Sequence, residues 1–111
     1  MVSIIIINYR QKNYVLDCVR SILDNVKYPH EIIVINNSPE EDIGELDGTA
    51  KVIPNNNLGY SQANNMGVKH AKGEYLLFLN ADTQVRNDSI ADAVSILSKK
   101  DAGAVGLKLY N

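Results

Sequence analysis

Four consecutive isoleucines, Ile4 to Ile7, sit between Ser3 and Asn8 and leave neither face of an extended chain polar. A β-branched run of this kind predicts a strand covered by helices on both sides. From Asn13 onward Val15, Cys18, Val19, Ile22, Leu23 and Val26 recur at helical spacing, which predicts an amphipathic helix to about Val26, ended by Tyr28-Pro29. Glu31 to Ile35 predicts a second buried strand, and Asn36-Asn37-Ser38-Pro39 is turn chemistry. The acidic, glycine-bearing segment up to Gly48 predicts a short helical turn at most. Lys51 to Ile53 predicts a third strand closed by Pro54, and Asn55 to Gly59 a loop. A helix follows from about Ser61 to Lys72, turning Ala63, Met66, Gly67 and Ala71 inward and stopping at Gly73. Glu74 to Leu79 predicts the fourth strand. Asp88 or Ser89 caps a helix carrying Ile90, Ala93, Val94 and Leu97 to about Lys100, and Ala104 to Leu109 predicts a last strand.

Strands alternating with helices define the fold class as α/β: an open, mostly parallel sheet with helices on both faces. In such sheets ligands bind beyond the carboxyl ends of the strands, near the point where strand order reverses. That rule gathers Asn8-Tyr9, Asn36-Asn37 and Asn80-Ala81-Asp82 along one rim.

Composition narrows what the rim could serve. At 111 residues, 45% hydrophobic and 22% charged, the chain is a single globular domain spanning 1–111, small for a complete two-substrate enzyme. Eleven basic residues without a long run, against thirteen acidic ones, give a net charge of -2 and no footprint for nucleic acid or an anionic membrane. The lone cysteine, Cys18, lies on the apolar helix face and reads as a core residue. The opening MVSIIIINYR has neither a basic n-region nor the apolar length of a signal peptide, so the expectation is a cytoplasmic chain.

On the rim, Asp82 is the one carboxylate immediately at a strand end, and Asn80 precedes it by two residues, so on an extended chain both would point the same way. Such a pair either closes a turn or faces a polar ligand. With so few hard ligands, a divalent cation there would need water and a charged substrate. Asn57-Leu58-Gly59-Tyr60 enters a helix, where glycine permits close backbone approach and free amides suit an anion, although no phosphate-loop glycine spacing is present. Asn64 and Asn65 are poor helix formers inside that helix, which predicts that one of them reaches across the cleft. His30 and His70 show no zinc spacing, and Ser3, Ser38 and Ser61 lack a nucleophile elbow.

Four stretches in order, VSIIIINYRQKNYVLDCVRSI, HEIIVINNSPE, NLGYSQANNMGVKHAKGEYLLFLNADT and AGAVGLKLYN, together cover nearly the whole chain. They resemble the amino-terminal half of family 2 glycosyltransferases of the GT-A fold, particularly the rhamnosyltransferase-like branch that builds surface polysaccharides. The third stretch is the most specific, combining N-x-G, A-x-N-x-G, A-x-GEY and a strand ending in x-x-D. The resemblance implies transfer of a sugar from a nucleotide-diphosphate donor to an acceptor hydroxyl, with inversion and with Mg2+ or Mn2+. Carried onto this sequence, Asn8 and Tyr9 would line the nucleobase pocket and Asn36 would contact base or ribose. Asn57, Gly59 and Asn65 would shape the nucleotide-sugar pocket, and Asn80-Ala81-Asp82 would be the D-x-D counterpart, with Asp82 touching the metal.

The family more often carries aspartate at the positions of Asn36 and Asn80, and an amide there weakens metal or base contacts. The family's general base lies in the second half of the domain, so the resemblance implies a domain incomplete relative to a full transferase and inactive alone. The acceptor, a glycan or lipid-linked saccharide, is not readable. Two other classes compete: a non-catalytic α/β binding module, and a remnant that forms a homodimer through an exposed sheet edge near Val105 to Leu109.

Overall fold

The computed structural model describes residues 1–100, with side chains through 98. Strands β1 (Val2–Asn8), β2 (His30–Asn36), β3 (Lys51–Pro54) and β4 (Tyr75–Leu79) form one sheet in the order β3-β2-β1-β4. Every pairing is parallel, with Asn8 level with Asn36 and Ile6 level with Leu79. All seven residues of β1 are buried, as the isoleucine run requires of the strand between two neighbours. The expected strand over 104–109 lies outside the described residues.

Helices α1 (Lys12–Asn25) and α3 (Ser89–Lys100) cover one face, and α2 (Tyr60–His70) covers the other. The first layer buries Ile4, Ile6 and Val34 against Val15, Cys18, Val19, Ile22, Ile90 and Val94. Fully burying one such aliphatic side chain is worth about 1.5–3 kcal/mol, so this layer supplies most of the driving force. The second layer is thinner: Ile7, Ile33, Ile35 and Ala63, flanked by Ile53, Met66 and Ala71. Here α2 lies almost on the sheet, because a Cβ at Gly67 would stand 2.6 Å from Ile5 Cγ2. The acidic segment after β2 contains only a 3-10 turn, Gly44–Leu46.

Helix α2 ends at His70, short of the expected Lys72, and Ala71 is extended. The cause lies at the amino ends of the strands. There the Lys72 N–H donates to Glu31 Oε2 at 2.6 Å and the Gly73 N–H to Ser3 Oγ at 2.8 Å, pulling the chain out of the helix and into β4. The Ser3 hydroxyl donates to the same Glu31 oxygen at 2.6 Å.

Candidate functional site

Strand order reverses between β1 and β4: the chain runs outward from β1 to β3, then returns to place β4 on β1's other side. The carboxyl ends of these two strands flank a cleft of about 260 Å³, lined by Ile7, Tyr9, Gln11, Tyr60, Leu79, Asn80, Ala81 and Asp82. Ile7 and Leu79 are buried, whereas Tyr9, Tyr60, Asn80 and Asp82 are exposed, giving an apolar floor beneath polar and aromatic edges. β4 stops at Leu79, and the Thr83 N–H donates to the Asn80 carbonyl at 3.0 Å. Asn80 and Asp82 therefore reach the cleft from a closed turn, not from the extended chain that their spacing suggested. Tyr60, the first residue of α2, closes the far side by donating its hydroxyl to Asn80 Oδ1 at 3.1 Å.

Behind this edge a buried polar network holds the rim. Asn8 is 0% exposed; its Nδ2 donates to Asn36 Oδ1 at 3.0 Å and to Glu41 Oε1 at 2.9 Å, and its Oδ1 accepts the Gln11 N–H at 3.1 Å. Asn36 Oδ1 also accepts the Ser38 N–H at 3.1 Å. Unpaired, each buried group would cost about 1–3 kcal/mol, so the two asparagines and Glu41 fix the β1–α1 and β2 turns together. Arg10 adopts a left-handed φ of 56°, sustained by its N–H bond to Ser38 Oγ at 2.7 Å, and its guanidinium lies 5.2 Å from the Tyr9 ring centroid.

The structure thus brings Tyr9, Asn80 and Asp82 to the cleft, while the Asn8 and Asn36 side chains lie inside the rim. Asn57 and Gly59 are exposed on the loop before α2, where Gly59 takes φ 99° with open space around its missing Cβ. Asn57 joins an amide chain: its Oδ1 accepts from Asn37 Nδ2 at 3.5 Å, and Asn55 Nδ2 bridges Asn37 Oδ1 and Gln62 Oε1 at 2.8 Å each. Asn65 is exposed on α2, and neither it nor Asn64 makes a side-chain bond across the cleft among the described residues. Sequence reasoning assigned no role to Tyr60, Gln11 or Glu41. The position of Tyr60 directly after the loop glycine was the one available signal.

Asp82 is the only carboxylate lining this cleft among the described residues. Among the described residues no three His, Cys, Asp or Glu side chains cluster as a metal site, and the one ion pair, Lys12 to Glu45, lies elsewhere. The donor set suits a cation shared with an anionic ligand and cannot cage one alone. Burial and, secondarily, the Asp82 charge push the Cys18 thiol up to about 12, so this cysteine is a protonated core residue. A larger groove of about 500 Å³ lies between α1 and the segment after β4, lined by Asp17, Arg20, Asp24 and Arg86 among others. Its lining comes from α1 and from Gln84 to Arg86, includes no residue of the four strands and mixes both charges, so the smaller cleft at the strand ends is the better candidate.

The family model for glycosyl transferase family 2 matches residues 3–111, and the chain belongs to that family. Glycosyltransferase GlyG of Streptococcus pneumoniae is 29% identical across the whole of this chain, which spans 40% of that relative. An uncharacterized glycosyltransferase of Haemophilus influenzae is 32% identical over 91% of this chain and 34% of its own length. The chain therefore spans two fifths or less of these relatives. Among solved structures, the mannosyltransferase PcManGT from Pyrobaculum calidifontis, in complex with GDP-Man and Mn2+, aligns over 96% of this chain and 35% of its own, with a TM-score of 0.78 and 22% identity. Staphylococcus aureus TarS 1-349 in complex with UDP-GlcNAc aligns over 96% of this chain and 36% of its own, with a TM-score of 0.75 and 16% identity. These likenesses establish the fold: the sheet and its helices match part of the GT-A fold of these glycosyltransferases.

Proposed function

We infer that the cleft between β1 and β4 binds a nucleotide-diphosphate sugar as the donor of an inverting glycosyl transfer to a hydroxyl of a glycan or lipid-linked saccharide. The observation that carries this reading is the turn Asn80–Thr83, which sets the exposed Asp82 on a cleft at the switch point of the sheet. The exposed Tyr9 ring and the apolar floor of Ile7 and Leu79 suit a nucleobase or sugar face. The first N–H groups of α2 enter at Gly59, close beside Tyr60, and favour the diphosphate. Asn8, Asn36 and Glu41 act as positioning residues that hold the rim. Asp82 would hold Mg2+ or Mn2+ jointly with the diphosphate, and such a cation, when bound, offsets the charge of the departing group.

A general base needs a second carboxylate near the acceptor, and no other lines this cleft among the described residues. Residues 1–100 thus supply donor binding alone, and the same reading places that step in the cytoplasm. Among the described residues no helix is long and apolar enough to cross a membrane. The test is equilibrium binding of UDP-GlcNAc and GDP-mannose with Mn2+. Asp82→Ala should weaken binding about tenfold or more, equivalent to about 1.4 kcal/mol. Equal affinity in the variant, or none in the unaltered chain, refutes the reading.

A second reading has its own observation. Leu76 and Phe78 of β4 are 43% and 47% exposed on the sheet face that α2 leaves open. Pairing of two copies along β4 would cover them. Light scattering across a concentration series should show a dimer if this holds, and a monomer at every concentration would exclude it.

A further inference from the structure

The Tyr60–Asn80 hydrogen bond decides which end of the Asn80 amide a ligand meets. Tyr60 donates, so Asn80 Oδ1, the one atom of this side chain able to ligate a cation, is turned toward the Tyr60 hydroxyl with one of its two lone pairs engaged. Asn80 Nδ2 has no partner among the described residues and can only donate. Both side chains line the cleft, and the backbone of Asn80 is held by its turn bond to Thr83, so the amide is oriented by its two side-chain torsions, which the Tyr60 bond restrains.

We propose that Tyr60 sets the cation dependence of donor binding, by holding Asn80 with its NH2 group toward the ligand's phosphate or hydroxyl oxygens and leaving Asp82 as the single protein ligand for a cation. This rests on the donor-binding reading above. An N–H donor neutralises part of the phosphate charge without metal, so the unaltered chain keeps appreciable affinity for a nucleoside diphosphate in chelator. Freed from Tyr60, Asn80 can turn its oxygen inward and ligate, which strengthens binding with cation and weakens it without. The ratio of affinities with and without metal is therefore the informative quantity.

The experiment measures UDP and GDP binding by calorimetry in MnCl2 and in EDTA, for the unaltered chain, Tyr60→Phe and Asn80→Asp. Tyr60→Phe removes only the hydroxyl of a half-exposed ring and should raise the Mn2+/EDTA affinity ratio about threefold to tenfold, the scale of one hydrogen bond. Asn80→Asp should raise it further, since a carboxylate accepts from Tyr60 with one oxygen and keeps the other for the cation. A purely structural role for Tyr60 would weaken binding equally in both buffers, leaving the ratio unchanged. That result, or an unchanged ratio in Asn80→Asp, overturns this inference while the donor-binding reading survives. No binding by the unaltered chain in either buffer overturns both.

Discussion

Gly67→Ala sets two opposed effects against each other at a contact the structure defines closely. Alanine in a helix interior is favoured over glycine by about 0.8–1 kcal/mol, so on propensity alone the substitution stabilises α2. Against this, the new Cβ would lie 2.6 Å from Ile5 Cγ2 and 3.2 Å from Ile5 Cγ1 and Cδ1. Carbon atoms pack best at about 3.5–4.0 Å, so the overlap with Cγ2 is about 1 Å. Relief is difficult, because Cγ2 branches directly from Cβ of a residue that is 1% exposed on β1. Either Ile5 leaves its rotamer or α2 lifts, and overpacking of this kind costs about 1–3 kcal/mol. The upper part of that range applies here, for a net loss of about 1–2 kcal/mol. Urea denaturation followed by circular dichroism measures it, and each kcal/mol corresponds to about 4–8 °C in Tm for a chain near this size. Ile5→Ala removes all three clashing atoms, so in that background Gly67→Ala should reverse sign and stabilise. A stabilising effect in the unaltered background, or the same effect in both, would refute the close approach of α2 to β1.

Three further outcomes concern Asn8, Glu31 and Cys18. Asn8→Asp sets a carboxylate against Asn36 Oδ1 and Glu41 Oε1 in place of two donor bonds, and should cost about 2–4 kcal/mol near neutral pH. Its folded pKa is raised by that contact, so the deficit should shrink as pH falls toward the carboxylate range; a pH-independent deficit would contradict this arrangement. For Glu31, burial alone pushes its carboxyl up, but the Ser3 hydroxyl, the Lys72 N–H and the charges of Lys72 and Lys51 hold it below the usual value of 4.5. Its stabilisation is therefore full above pH 4.5 and lost as pH falls through the depressed folded pKa, so Glu31→Gln should be less stable at neutral pH and should flatten the acid limb of the stability curve. The Cys18 thiol, pushed up to about 12, should resist an aromatic disulfide reagent while the chain is folded and react at once in urea; rapid labelling without denaturant would refute its burial.

Much of the architecture was legible because hydrophobic periodicity reports burial directly. The isoleucine run placed β1 at the centre of the sheet, and the 3.6-residue spacing of Val15, Cys18, Val19 and Ile22 oriented α1 correctly. The rim followed from topology, and Asp82 does stand on a cleft there. The facing of the asparagines could not be read. A strand buried on both faces shows no alternation, so nothing in SIIIIN tells whether Asn8 shares the α1 or the α2 side. It shares the α1 side with Ile4 and Ile6, and its amide is consumed internally. The end of α2 was misplaced because Glu31 and Ser3, distant in sequence, compete for the N–H groups of Lys72 and Gly73. The Tyr60–Asn80 bond joins residues twenty apart and depends on how α2 is set down on the sheet, which periodicity does not specify.

The most direct test of the cleft assignment is paramagnetic broadening of backbone amide NMR signals on adding Mn2+ together with UDP or GDP. Signals of Tyr9, Tyr60 and the Asn80–Thr83 turn should be lost first, and Asp82→Ala should require about tenfold or more ligand for the same broadening. Broadening centred instead on Asp17, Arg20 and Arg86 in the larger groove, or none at the strand ends, would contradict it.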